Sequence, residues 1–131
     1  MLAIAVAVFL LAADPAALRL TALGDASWQR LVPGAEKGPE VATVLGNVGL
    51  SQTLLRMPKE SVLPPGRHEV GATLVLLEGE LTVEAEGKTF ALTAGSMLEL
   101  PKGTRYGGRT KWDKKALALI TLAGPWSRPA S

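Results

Sequence analysis

The sequence predicts an all-β domain, a jelly roll or small barrel, that starts near residue 27 and continues to residue 131. Turn residues recur about every eight to twelve positions, in pairs such as Pro33-Gly34 and Gly124-Pro125. Short apolar runs lie between the turns, and no amphipathic helical pattern of useful length follows residue 30. Together these three features are typical of short antiparallel strands folded around one core.

Size and composition indicate a single domain without thiol chemistry. The chain has 131 residues and no cysteine, which excludes disulfides, thiolate metal sites and cysteine nucleophiles. Lys and Arg number 14 against 12 Asp and Glu, for a formal charge of +2. Because this excess is small, we expect no nucleic-acid partner.

The N-terminus differs from the rest of the chain. Residues 1–13, MLAIAVAVFLLAA, form an uncharged apolar run, shorter than the roughly 20 residues that span a bilayer but typical of a signal-peptide core. We predict that residues 1–26 are a signal peptide or N-terminal anchor with a short linker, and that residues 27–131 are one domain. The protein is then periplasmic or secreted, or membrane-anchored if the segment is uncleaved, with membrane contact only through that segment. The alternative is a buried N-terminal helix or strand.

Hydrophobic periodicity places the individual strands. They are expected at Val41–Leu45, Ser51–Pro58, Ala72–Leu77, Glu80–Glu86, Lys88–Leu92, Ser96–Leu100 and Leu117–Leu122. Glu80–Glu86 alternates strictly between apolar and polar residues, and Glu86-Gly87 is predicted to turn the chain into the next strand. The continuous apolar run of Ala72–Leu77 predicts a strand buried on both faces. Seven or eight such strands fit a jelly roll or a small barrel.

The segment that follows Gly95 resembles the second motif of the cupin superfamily, G-x5-P-x-G-x2-H-x3-N. The first glycine, the proline and the second glycine correspond to Gly95, Pro101 and Gly103. The histidine of the motif corresponds to Tyr106, and its asparagine to Thr110.

The first cupin motif, G-x5-H-x-H-x3,4-E-x6-G, can be aligned from its last glycine, Gly79. Counting back places its glutamate at Ala72, its second histidine at His68, its first histidine at Gly66 and its opening glycine at Glu60. The two motifs stand at the right separation, with a hairpin between them.

The resemblance covers roughly residues 40–123. It implies a cupin-type jelly-roll barrel, also called a double-stranded β-helix. The sequence Ala-Gly-Pro-Trp at residues 123–126 is also similar to the end of small single-domain members of the family.

The resemblance also identifies a metal site whose ligands are mostly missing. Cupins hold a metal with three histidines and a glutamate from these motif positions, and here His68 is the only matched ligand. The other three positions are Gly66, Ala72 and Tyr106. Since a zinc, iron or manganese site of this kind needs about three protein ligands, we predict no metal and no other cofactor.

Glycine and alanine at two ligand positions remove side-chain volume from the barrel interior. Either large neighbours fill that space, or a small-molecule pocket remains with His68 and Tyr106 as its polar groups. The candidate pocket residues share an expected inward position. They are Met57, Gly66, His68, Ala72, Leu74, Met97 and Tyr106.

A basic segment lies around the end of the second motif. Its candidate anion-binding residues are Arg105, Arg109, Lys111 and Trp112. Basic side chains beside an aromatic ring can bind phosphate, a sugar acid or anionic lipid headgroups. The alternative is a solvated loop.

These observations favour a non-catalytic, metal-free and exported cupin-fold module that binds a small molecule in its barrel or has a structural role. A homodimer is one expected assembly, since cupins are often dimeric. The alternative is a cupin enzyme, an isomerase, hydrolase or metal-dependent dioxygenase, with His68 and Tyr106 as its catalytic residues. A histidine without a carboxylate partner argues against this alternative.

Overall fold

The computed structural model describes Leu20 and residues 22–130, so the apolar run at residues 1–13 lies outside the described residues. The described part contains one 3-10 helix, Leu23–Asp25, and nine strands. None of its helices has the length and apolar character needed to cross a membrane. The strands are β1 Gln29–Arg30, β2 Glu40–Gly46, β3 Ser51–Met57, β4 Val62–Gly66, β5 Ala72–Ala85, β6 Lys88–Thr93, β7 Met97–Leu100, β8 Tyr106–Arg109 and β9 Ala116–Leu122.

The strands form one curled antiparallel sheet whose two halves share the long strand β5. The first half of β5 pairs with β7 and β9, and the sheet continues from β9 through β3 and β2 to β1. The second half of β5 pairs with β6 and β8, and β8 pairs with β4. The predicted all-β jelly-roll architecture is therefore confirmed.

The core lies inside the curl because alternate residues of each strand face inward. Leu55 in β3 and Ala118, Ile120 and Leu122 in β9 are each 1% exposed. Burying a side chain of the size of leucine or isoleucine contributes roughly 1.5–3 kcal/mol of transfer free energy. This apolar layer holds the two halves of the sheet together.

β5 is one strand where the sequence predicted two, Ala72–Leu77 and Glu80–Glu86. Its pairing with β9 shifts register between Leu76 and Glu78, which is how a bulge bends a strand without ending it. Gly79 follows at φ 82°, a conformation that glycine adopts at little cost. β5 can therefore pass from one half of the sheet into the other.

The expectation that the first part of β5 is buried on both faces is wrong. Leu74 and Leu76 are fully buried, whereas Leu77 is 44% exposed. The sheet is antiparallel and covers its core on one face only, so the apolar residues between the inward positions lie on the outer surface.

Strands β4 and β8 were not predicted. β4 contains Pro64 and Pro65, and β8 contains Gly107 and Gly108, and both residue types are poor strand formers. The predicted hairpin between β5 and β6 is confirmed, because Glu86 has φ 52° and Gly87 has φ 75°. A two-residue type I′ turn requires positive φ at both positions.

We expect Gly79→Ala to destabilise the protein by roughly 3 kcal/mol or more, among the larger effects of single substitutions. The added methyl group would overlap the carbonyl oxygen of Lys115, besides the strain of positive φ. Gly87→Ala, with positive φ but open space around it, should cost roughly 1–2 kcal/mol. Gly71→Ala has neither problem and is the control, to be measured beside the others by urea denaturation. Equal losses of stability in Gly79→Ala and Gly87→Ala would contradict the close approach of residue 79 to the carbonyl oxygen of Lys115.

Candidate site at the barrel mouth

The only histidine of the sequence meets the only tyrosine in the interior. Gly66, at the end of β4, pairs with Tyr106 at the start of β8, and His68 follows two residues after Gly66. His68 is 2% exposed and Tyr106 is 1% exposed. The distance between His68 Nε2 and Tyr106 Oη is 2.7 Å, which is a hydrogen bond.

The second ring nitrogen of His68 fixes the direction of that hydrogen bond. His68 Nδ1 lies 2.7 Å from the backbone oxygen of Ser127. A carbonyl oxygen can only accept, so Nδ1 carries the proton in the neutral ring. Nε2 is then the acceptor, and the Tyr106 hydroxyl donates to it.

Burial keeps both partners neutral. It lowers the pKa of His68 below the usual value, opposed by the hydrogen bond to Ser127 and reinforced by the positive charge of Arg128. Burial also raises the pKa of Tyr106, and the charge and hydrogen bond of Arg128 oppose that rise. At neutral pH the pair is therefore an uncharged imidazole with an uncharged phenol.

The C-terminal segment, residues 126–130, covers this pair. The ring of Trp126 lies 5.4 Å from that of His68 and packs against the core. The backbone N–H of Arg67 donates to the oxygen of Pro129 over 3.1 Å, and Ala130 forms a bridge with Gly66. The segment is thus bonded along the end of β4.

Arg128 extends from this segment into the barrel mouth. Its Nη2 donates to the backbone oxygens of Pro64, at 2.9 Å, and Tyr106, at 2.8 Å. Its Cζ lies 4.5 Å from the centre of the Tyr106 ring. A Cβ atom at Gly66 would be only 2.6 Å from Nη1. The guanidinium group therefore fills the space toward which a side chain at position 66 would point.

The residues at the four ligand positions do not fit a metal ion. Gly66 and Ala72 offer no side-chain donor, both ring nitrogens of His68 bind within the chain, and Tyr106 is held as a neutral phenol. No cluster of three or more His, Asp or Glu suited to a metal occurs among the described residues. The cationic Arg128 beside the pair would also repel a divalent ion.

Most of the predicted pocket residues are core residues. Met57, Leu74, Ala72 and Gly66 are buried alongside His68 and Tyr106. Met97 is 63% exposed, so its assignment to the interior is wrong. In β7 it is Leu98 and Leu100 that contact the core, because side chains alternate along the strand.

Three cavities along the described residues do not include His68 in their lining. Their volumes are about 390, 440 and 180 Å³, and the first reaches Tyr106 and the second reaches Met57. At Gly66 the guanidinium group of Arg128 occupies the space, and a small-molecule pocket at His68 stays a prediction.

The candidate anion-binding residues lie on the surface, where Arg105 and Arg109 line one cavity and Arg109 and Lys111 line another. Arg109 Nη1 lies 2.8 Å from Glu84 Oε2, and Lys111 Nζ lies 3.0 Å from Glu80 Oε1. Trp112 is 75% exposed. Two of the cations are therefore paired with carboxylates, and anion binding by this segment stays a prediction.

The sequence reasoning missed the residues of the C-terminal segment that complete the site. Trp126, Ser127 and Arg128 lie outside both motifs, and Arg128 contacts Pro64 across 64 positions of sequence. Only the Gly-Pro-Trp ending gave a signal there, and it indicated a family likeness without a contact.

Comparisons with known proteins agree with the barrel. The Cupin domain family model matches residues 53–122, while no curated protein sequence matches the chain significantly. The polyketide cyclase RemF from Streptomyces resistomycificus superposes with a TM-score of 0.72 at 18% identity, covering 87% of this chain and 85% of its own. An RmlC-like cupin from Shewanella frigidimarina gives a TM-score of 0.69 at 16% identity, covering 84% and 93%.

The DMSP lyase DddQ from Ruegeria pomeroyi is also similar, with a TM-score of 0.72 and 20% identity over 82% of this chain and 62% of that protein. All three identities are low, so these likenesses show a shared fold alone.

The buried imidazole predicts a specific pH dependence of stability. The pKa of His68 is lowered in the folded chain, so the unfolded chain binds more protons once the pH falls below the ordinary histidine value of about 6.5. The free energy of unfolding should therefore fall as the pH is lowered from that value through the folded pKa. His68→Gln removes the titrating group, so its urea-denaturation stability should change less between pH 7.5 and 5.5. An equally steep fall in the variant would contradict the neutral, buried assignment.

Proposed function

Because the chain belongs to the Cupin domain family, we propose that it is a metal-free, non-catalytic cupin module. In this module the His68–Tyr106 pair at the barrel mouth has a structural role. One observation carries the proposal. His68 Nε2 is hydrogen-bonded to the Tyr106 hydroxyl, and His68 Nδ1 is hydrogen-bonded to the backbone oxygen of Ser127 in the C-terminal segment.

The absence of ligand side chains at positions 66 and 72 supports the metal-free part of the proposal. Metal-dependent cupin chemistry needs several converging donors and an open coordination position. Here the converging groups are one imidazole, one phenol and a guanidinium. These groups do not form the donor set of a metal ion.

The hydrogen bonds of His68 support the non-catalytic part of the proposal. A general base needs an accessible lone pair within reach of a substrate proton, and Nε2 of His68 is occupied by the Tyr106 hydroxyl at 2.7 Å. Nδ1 is oriented by a backbone carbonyl, which stabilises an imidazolium less than a carboxylate does. RemF and DddQ are enzymes by their names, but an identity of 20% or less transfers no activity to this chain.

The competing proposal is an isomerase-type enzyme in which His68 and Tyr106 exchange protons with a substrate. Their 2.7 Å contact is the observation in its favour. It requires the C-terminal segment to leave the barrel mouth before a substrate can reach the pair.

Elemental analysis tests the metal-free proposal. Full-length protein purified without tag or chelator should contain less than about 0.1 equivalent of each of Zn, Fe, Mn, Ni and Cu, because fewer than three ligands converge. Adding Zn²⁺, Mn²⁺ or Ni²⁺ at 100 µM should leave Tm unchanged, whereas a specific site with a Kd of about 1 µM would add about 2.7 kcal/mol of stability. Near one equivalent of metal, or a clear rise in Tm that His68→Gln abolishes, would contradict the proposal.

A further inference from the structure

The barrel mouth presents two backbone oxygens to Arg128. They belong to Pro64 in β4 and Tyr106 in β8, and both accept from Arg128 Nη2. The pairing of β4 with β8 shifts register between Leu63 and Gly66, and Pro64 and Pro65 have no N–H group to donate to a neighbouring strand.

The same place presents the face of an aromatic ring. The Tyr106 ring is 4.5 Å from the Cζ atom of Arg128, within the range of a cation–π interaction. Two oxygens beside a ring face suit a planar cation with several N–H donors. An ammonium ion is compact and strongly hydrated, and it matches this arrangement less well.

Gly66 makes room for such a cation. A Cβ atom there would lie 2.6 Å from Nη1 and 2.8 Å from Cζ of Arg128, and 3.1 Å from the oxygen of Pro129. Gly66, at the position of the first histidine in the family motif, has no side chain. The guanidinium group of Arg128 occupies the space that a side chain there would take.

Arg128 itself is an imperfect occupant of this space. Its Nε is buried and has no hydrogen-bond partner in the described part of the chain, and an unmade buried hydrogen bond is costly. The backbone of residues 126–130 fixes where the side chain enters. A free alkylguanidinium is not bound by that restriction.

From these contacts we propose that the barrel mouth is a receptor for a guanidinium cation, and that the chain fills it in cis with Arg128. The receptor consists of the Pro64 and Tyr106 oxygens, the ring face of Tyr106 and the space at Gly66. Residues 126–130 are the strap that holds Arg128 there. An external ligand of this class binds by displacing Arg128, against an effective concentration in the millimolar range for a short tether. The proposal holds whether or not the protein is catalytic.

Chemical rescue of Arg128→Ala in the full chain tests the proposal. The variant should lose at least about 5 °C in Tm, because two oxygens lose their charged donor. Ethylguanidinium chloride at 20 mM should restore at least about 3 °C to the variant, as a ligand that binds only the folded state does. It should raise the Tm of the unaltered protein by less, because there the ligand must first displace Arg128.

Three controls define the class of ligand. Ethylammonium chloride and sodium chloride, each at 20 mM, should restore nothing. Arg30→Ala removes an exposed arginine of β1 outside the receptor and should show neither the loss nor the rescue. No rescue by ethylguanidinium, or equal rescue by ethylammonium, would overturn the proposal. If Arg128→Ala does not fold, Arg128→Met keeps the aliphatic stem and is used in its place.

A double-mutant cycle tests the geometry without an added ligand. Gly66→Ala should lower Tm in the unaltered chain because the methyl group meets the guanidinium. In the Arg128→Ala background the loss should be at most about half as large, since the overlap with Pro129 alone remains. Equal losses in the two backgrounds would show that Arg128 does not occupy the space at Gly66, and would overturn the assignment.

Discussion

A buried imidazole needs a partner for each of its ring nitrogens, and this requirement organises the barrel mouth. His68 lies in the interior, where an unsatisfied nitrogen would cost free energy. Its two partners come from distant parts of the sequence, the Tyr106 hydroxyl in β8 and the Ser127 oxygen in the C-terminal segment. The neutral state of the pair and the path of the last residues both follow from meeting this requirement.

The substitutions at the motif positions are consistent with one another. Tyrosine at 106 supplies an O–H donor where a metal-binding histidine would offer a lone pair. Glycine at 66 removes a ligand and also makes room for Arg128. Arg128 then supplies a positive charge at the mouth, together with N–H donors to the oxygens of Pro64 and Tyr106. Together these residues form hydrogen bonds within the chain at and beside the motif positions.

Local pattern predicted the parts of the fold that depend on local chemistry. Strict alternation gave the inward residues of the second half of β5, and Glu86-Gly87 gave the hairpin because positive φ is a property of the turn itself. The same reasoning failed at β4, because Pro64 and Pro65 argue against a strand in the sequence. It also placed Met97 inside, because motif spacing does not reveal which face of a strand a residue occupies.

The site was less predictable than the fold for a physical reason. His68 and Tyr106 could be paired from the two motifs, since their positions in the barrel are tied to glycines and a proline at fixed spacing. The contacts of Ser127 and Arg128 could not be predicted, because the acceptor in each is a backbone oxygen, which any residue would offer. Ser127 accepts from His68 through its own backbone oxygen, and Arg128 donates to the oxygens of Pro64 and Tyr106. The sequence therefore contains no motif that identifies these two contacts.

The strap also determines when the buried pair could take part in chemistry. It is held by the Arg128 hydrogen bonds, the Ser127 and Pro129 backbone contacts and the packing of Trp126, while the residues beneath it belong to the sheet core. A segment held by a few contacts opens at a lower free energy than the strands it covers. On opening, His68 and Tyr106 would regain water, and the pKa of each would return toward its ordinary value. When the strap is closed, the ring nitrogens of His68 are hydrogen-bonded within the chain. A reaction at this pair would therefore need the open state, and its rate would be limited by the fraction of molecules in that state.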